Sequence, residues 1–112
     1  SWRAKPVPDI ENGPQSLAGL IAYQDGAIVS RTLLSKPAGT VTLFAFDAGQ
    51  GLSEHTTPYD ALVLAVDGEL EISIEAARHR LGDGQALLLP ANRPHAVQAS
   101  RKGKMLLVMI RE

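Results

Sequence analysis

The sequence contains no cysteine, which excludes disulfides and thiolate metal sites together. It also lacks charge of one sign. The formal net charge is -1 over 112 residues, with acidic and basic positions interspersed, so there is no basic field to attract nucleic acid or anionic lipid. The one basic cluster, Arg101-Lys102-Gly103-Lys104, reads as a turn between two apolar stretches. No apolar run approaches the roughly 20 residues that a membrane helix needs, and the N-terminus lacks the charged-then-apolar order of a signal peptide. These absences point to a soluble, cytoplasmic protein with neither nucleic acid nor membrane as a partner. The length suits one domain, residues 1–112, with enough chain to bury a core unaided.

What is present is a succession of short strands. The opening, Ser1 to Pro8, carries Pro6 and Pro8, whose rings fix φ and remove two backbone donors. It reads as an extended arm, part of an N-terminal segment over residues 1–26 that packs on the rest. Asn12-Gly13-Pro14 signals a turn, and the spacing Leu17, Leu20, Ile21 predicts a short piece of helix. Strands are predicted over Ile28 to Leu34 and Thr40 to Phe46, the second apolar on both faces as in a strand covered on each side. Ala61 to Val66 is another apolar run, and Asp67-Gly68 reads as a tight turn closing it. Beyond it, Leu70, Ile72 and Ile74 alternate with Glu69, Glu71, Ser73 and Glu75, one face for the core and one for water.

Further turns follow near Ala76-Ala77 and at Gly82-Asp83-Gly84. The latter opens like a dinucleotide fingerprint, but no third glycine and no helical pattern succeed it, so a phosphate loop is rejected. Two last strands, Ala96 to Ala99 and Met105 to Ile110, end the chain. Such a pattern, almost free of helical periodicity, predicts an all-β antiparallel barrel or sandwich.

Two histidines lie in polar loops beside apolar strands, His55 in the run from Gly49 to Gly68 and His95 in the run from Gly84 to Ala99. Each can be a loop-end histidine satisfied by its own backbone, or the two can share a cavity. Together they could bind a metal, exchange a proton or hydrogen-bond a ligand. Catalytic zinc takes three protein ligands, and a non-haem iron site takes two histidines and a carboxylate. Only Glu54 or Asp60 stands near enough to complete such a set. Glu54 lies one residue from His55 and Asp60 one residue from Ala61, and a one-residue offset normally points to the other face of a strand. Glu54 and Asp60 also fit as exposed loop acids, Tyr59 as a rim residue, Ser53 as a turn residue, and His79, between two arginines, as a solvated side chain.

The spacing of Gly49, His55 and Gly68, followed by Gly84, Pro90 and His95, resembles the two sequence motifs of the cupin superfamily. The resemblance spans roughly residues 39–110 and implies a jelly-roll β-barrel. Thr57 and Ala61 stand where the family has its second histidine and its glutamate, while Asn92 replaces a family glycine and Ala99 a family asparagine. With two of four family metal ligands replaced, the expected function is small-molecule binding. The candidate ligand contacts are His55, Thr57, Tyr59, Asp60 and His95. The cofactor is either none or a single divalent metal ion on His55 and His95. The alternative is a metal-dependent cupin enzyme of the dioxygenase, isomerase or lyase type acting on a small sugar or acid. Met105 to Ile110, apolar on both faces, needs cover from the Pro6/Pro8 arm of its own chain or a neighbour's, and a homodimer is expected.

Overall fold

A computed structural model of the chain describes residues 9–112. The Pro6/Pro8 part of the predicted arm therefore lies outside the described residues. Eight strands follow one another: β1 (Ile28–Lys36), β2 (Gly39–Phe46), β3 (Gly51–His55), β4 (Asp60–Ile74), β5 (Ala77–Gly82), β6 (Ala86–Leu89), β7 (His95–Gln98) and β8 (Gly103–Ile110). All pairings are antiparallel. The order β1-β2-β8-β4-β7-β3, with β5 and β6 also paired to β4, curls into the cupin-like jelly roll that the motifs imply.

The fold turns on β4. Its first half, from Asp60 to Gly68, lies between β8 and β6, and its second half, from Glu69 to Ile74, lies between β5 and β7. One strand thus belongs to both layers. This corrects the reading of Asp67-Gly68 as a closing turn, because the strand runs straight through the dipeptide. Gly68 has φ +63°, and the β4–β8 register shifts between Ala65 and Asp67. The shift is a bulge whose extra residue is Val66, and the left-handed Gly68, paired with Gly103, follows it where the strand passes from one layer into the other. A Cβ on Gly68 would sit 2.1 Å from the Lys102 carbonyl oxygen, so the crossing also needs the missing side chain.

Alternation then sorts the side chains. Phe46, Val63, Ala65, Leu70, Ile72, Leu81, Leu89, Val97 and Met105 face inward and form one buried cluster. The expected split of Leu70, Ile72 and Ile74 from Glu69, Glu71 and Glu75 is observed, the first three being buried. On the outside of the β1-β2-β8-β4 layer, Leu43 and Ala45 are also fully buried, because Leu20 and Ile21 of the N-terminal segment lie on them. The short piece of helix expected from Leu17, Leu20 and Ile21 is a 3₁₀ helix over Leu17–Leu20. Its carbonyls find cations: Lys104 Nζ donates to Ala18 O at 2.6 Å and Arg31 Nη1 to Leu20 O at 2.8 Å. The Tyr23 hydroxyl donates to Asp67 Oδ2 at 2.6 Å, with Lys104 Nζ 4.7 Å from the ring centroid, and completes the attachment.

No helix among the described residues is long and apolar enough to cross a membrane.

Candidate functional site

Neither histidine stands in a loop. His55 is the last residue of β3 and His95 the first of β7, and the two are direct cross-strand partners. Between the pairs Leu52↔Val97 and His55↔His95, β3 has two intervening residues and β7 only one, which is a β-bulge. Strict alternation would send Leu52 and His55 to opposite faces. The bulge brings both to the inner face, so the strand irregularity aims the histidine.

The rings meet edge to face, with centroids 4.4 Å apart and an interplanar angle of 66°. His95 is buried and His55 lies exposed beside it. His55 Nδ1 lies 3.0 Å from Ser53 O, and His95 Nδ1 lies 3.3 Å from Arg93 O. A carbonyl oxygen only accepts, so each Nδ1 carries a proton, and in the neutral ring each Nε2 keeps a lone pair. Burial holds the His95 pKa below the usual histidine value, and the neighbouring His55 ring lowers it further, while its bond to the Arg93 carbonyl opposes both. His95 is therefore neutral at neutral pH and presents an acceptor.

The loop that leads into His95 is pinned from several sides. Glu75 N donates to Pro94 O at 2.8 Å, and Arg93 Nε donates to Glu75 Oε1 at 2.6 Å. Asn92 has φ +65°, a conformation that asparagine tolerates better than most residues. Its N–H donates to Thr57 O at 2.7 Å, which joins this loop to the one after His55.

Above the rings is a cavity of about 120 Å³ lined by Phe44, Leu52, His55, Leu89, His95, Val97, Met105 and Leu107. Among the described residues that line it, only the two histidines bring polar side-chain atoms to this wall. Of the five predicted contacts, the structure brings His55 and His95 together here, while Thr57, Tyr59 and Asp60 do not line the cavity. The Thr57 hydroxyl donates to Tyr59 O at 3.2 Å, and Asp60 Oδ1 accepts from Ala91 N at 2.8 Å, so both are used in holding their loop. Ala61 faces the core, paired with Leu89 and Met109. Glu54 and His79 are exposed, and Ser53 meets His55 through its carbonyl rather than its hydroxyl. Phe44, Leu89, Met105 and Leu107 were not foreseen. Their alternation on β2, β6 and β8 marks them as inward-facing, but which inward residues meet the histidines depends on how the layers curl.

This donor set does not fit the metal that the fold implies. Two imidazole nitrogens are one ligand short of a catalytic zinc site and lack the carboxylate of an iron site. Among the described residues no group of three histidine, cysteine, aspartate or glutamate side chains is placed to hold a metal ion.

The sequence profile of the cupin domain matches residues 42–111. The chain belongs to the cupin family. Over nearly all of the 112 residues this cupin is similar to solved structures. A conserved protein of unknown function from Streptococcus pyogenes is 31% identical, with a TM-score of 0.87 over 97% of this chain and 96% of that one. A cupin superfamily protein from Desulfitobacterium hafniense is 28% identical, with a TM-score of 0.87 over 99% and 100% of the two chains. A cupin conserved-barrel protein from Leptotrichia buccalis is 38% identical, with a TM-score of 0.82 over 85% of this cupin and 46% of that chain. No functionally curated protein matches the sequence.

Proposed function

We propose that this cupin binds a small, largely apolar molecule carrying one O–H or N–H group, held in the His55/His95 cavity without a tightly bound metal. The observation that carries the reading is the commitment of both Nδ1 atoms to backbone carbonyls. It makes the two Nε2 atoms a paired acceptor in an otherwise aliphatic and aromatic wall. A buried polar ligand group is costly unless it is hydrogen-bonded, so such a wall favours a ligand with one donor and rejects one with several polar groups. The size is consistent with this. An apolar cavity of about 150 Å³ takes benzene, and the cavity here is about 120 Å³.

Phenol is a suitable probe, with toluene and benzoate as its counterparts. Titration followed by heteronuclear NMR is expected to move the signals of Leu52, Leu89, Val97 and Met105 and the Nε2 resonances of both histidines. Phenol is expected to bind more tightly than toluene, which has no donor, and than benzoate, which offers only acceptors at neutral pH. Tighter binding of benzoate, or shifts confined to other surfaces, would overturn the reading.

A further inference from the structure

Among the described residues only two other than glycine have positive φ, Glu75 at +54° and Asn92 at +65°. Asn92 lies in the segment that runs into His95, and Glu75 is bonded to that segment. Backbone conformations of this kind cost free energy and persist where the surroundings impose them, so their occurrence together beside one histidine calls for a role. Glu75 follows Ile74, the last residue of β4 and the cross-strand partner of His95. In its left-handed turn one residue holds two. The Glu75 N–H donates to Pro94 O at 2.8 Å, and the Glu75 carboxylate accepts from Arg93 Nε at 2.6 Å.

Both contacts bear on the Arg93 carbonyl, which lies along the chain between the Arg93 side chain and the Pro94 carbonyl. Its oxygen accepts from His95 Nδ1 at 3.3 Å. That is long for an N–H···O bond, so a small movement of the carbonyl would end it. The bond decides what His95 presents to the cavity. A neutral imidazole in water carries its proton mainly on Nε2, whereas here the carbonyl draws the proton to Nδ1 and leaves a lone pair on Nε2. With the carbonyl displaced, the proton returns to Nε2 and the acceptor becomes a donor.

We infer that Glu75 is a positioning residue that, acting through Arg93, holds His95 in the Nδ1–H tautomer and so sets the hydrogen-bonding sense of the buried half of the histidine pair. Glu75 is not among the residues that line the cavity. His55 needs no such support from another strand, since its carbonyl partner, Ser53 O, belongs to its own. The consequence for ligand choice rests on the reading of the cavity under Proposed function; the hold on the tautomer does not.

Heteronuclear NMR at mildly alkaline pH, where neutral rings give distinct signals for protonated and bare nitrogens, reads the tautomer directly. The wild type is expected to carry the His95 proton on Nδ1. Glu75→Ala is expected to move much of the population to Nε2–H with unchanged circular dichroism, and Arg93→Ala, which cuts the same tether from its other end, to do likewise. Glu75→Gln keeps an oxygen for Arg93 Nε and is expected to retain the wild-type tautomer. Arg80→Ala removes an ion pair with Glu69 elsewhere on this layer and is expected to leave His95 unchanged. In the phenol and benzoate titrations, Glu75→Ala is expected to reduce the preference for phenol roughly fivefold, the effect of one neutral hydrogen bond. A wild-type His95 with its proton on Nε2, or a proton that stays on Nδ1 in both Glu75→Ala and Arg93→Ala, would overturn the inference. A tautomer change in these variants, with neither probe entering the wild-type cavity, would uphold it and overturn the ligand-binding reading alone.

Discussion

His55 faces His95 across the β3–β7 ladder with ring centroids 4.4 Å apart, and the two differ in environment, one exposed and the other buried. The pairing couples the site to pH through His95. Its folded pKa is lowered, chiefly by burial, so the unfolded chain binds more protons than the folded one in the interval below the unfolded value of about 6.5. The stability contributed by a neutral His95 is therefore present above that value and is lost as pH falls through the folded pKa. Urea denaturation of the wild type is expected to show stability declining on acidification through this interval, and His95→Leu is expected to flatten the decline. An NMR titration in which His95 protonates at or above the ordinary histidine pKa would contradict the assignment.

Two glycines with the same backbone conformation separate strain from space. Gly68 and Gly84 have φ +63° and +80°, but an added Cβ would lie 2.1 Å from Lys102 O at Gly68 and would meet nothing within 4 Å at Gly84. Gly84→Ala is expected to cost only the left-handed penalty, about 1–2 kcal/mol. Gly68→Ala must also displace the β8 backbone, and a loss of about 3 kcal/mol or more is expected. Equal losses in chemical denaturation would mean that the β4 crossing does not require close contact with β8.

The same glycine shows how far the sequence could be read. Asp67-Gly68 reads as a closing turn because tight turns need positive φ, which Gly68 has, but such a dipeptide reports a dihedral and not a chain direction, and here it lies just past a bulge inside a 15-residue strand. Leu70, Ile72 and Ile74 were legible because one face meets water and the other does not. β3 was not legible. Gly51-Leu52-Ser53-Glu54 has little strand propensity, and it is a strand because β7 pairs with it. The motif spacing brought His55 and His95 together correctly. The bulge that turns His55 inward, and the choice of Phe44, Met105 and Leu107 as its walls, follow from tertiary register, which no local pattern encodes.

Tyr23 ties the N-terminal segment to β4. Burial raises its pKa well above the usual tyrosine value, and the hydrogen bond to Asp67 and that carboxylate's charge raise it further. Tyr23→Phe removes a bond to a charged acceptor and leaves Asp67 half-buried without it, a loss of about 1.5–3 kcal/mol. The ring and its contact with Lys104 remain, so the fold is expected to persist with a lower denaturation midpoint. Because the raised pKa favours the folded state only while the unfolded tyrosine is protonated, wild-type stability is also expected to fall above about pH 10, and Tyr23→Phe to lessen that fall.

The last prediction concerns what the site lacks. Among the described residues no third donor is placed beside the two imidazoles, so the wild type is expected to bind divalent zinc or nickel only weakly. Ala61 is the position from which a carboxylate is best installed. It faces inward and is the register partner of Leu89, a wall of the histidine cavity, and cross-strand partners have Cβ atoms about 4.5–5.5 Å apart. Thr57 is the poorer choice because its hydroxyl and carbonyl hold the loop. Ala61→Glu would complete two nitrogens and a carboxylate, the set that suits divalent first-row metals. It enlarges a packed interior position, so the metal-free variant is expected to lose about 1–3 kcal/mol. Saturating zinc restores part of that stability, since the ion binds the folded state alone. Calorimetric titration is expected to show tighter binding than in the wild type, weakening as pH falls and the imidazoles protonate. A folded Ala61→Glu variant with wild-type affinity would mean that position 61 does not open onto the histidine pair, and tight binding by the wild type would mean that a third ligand is already in place.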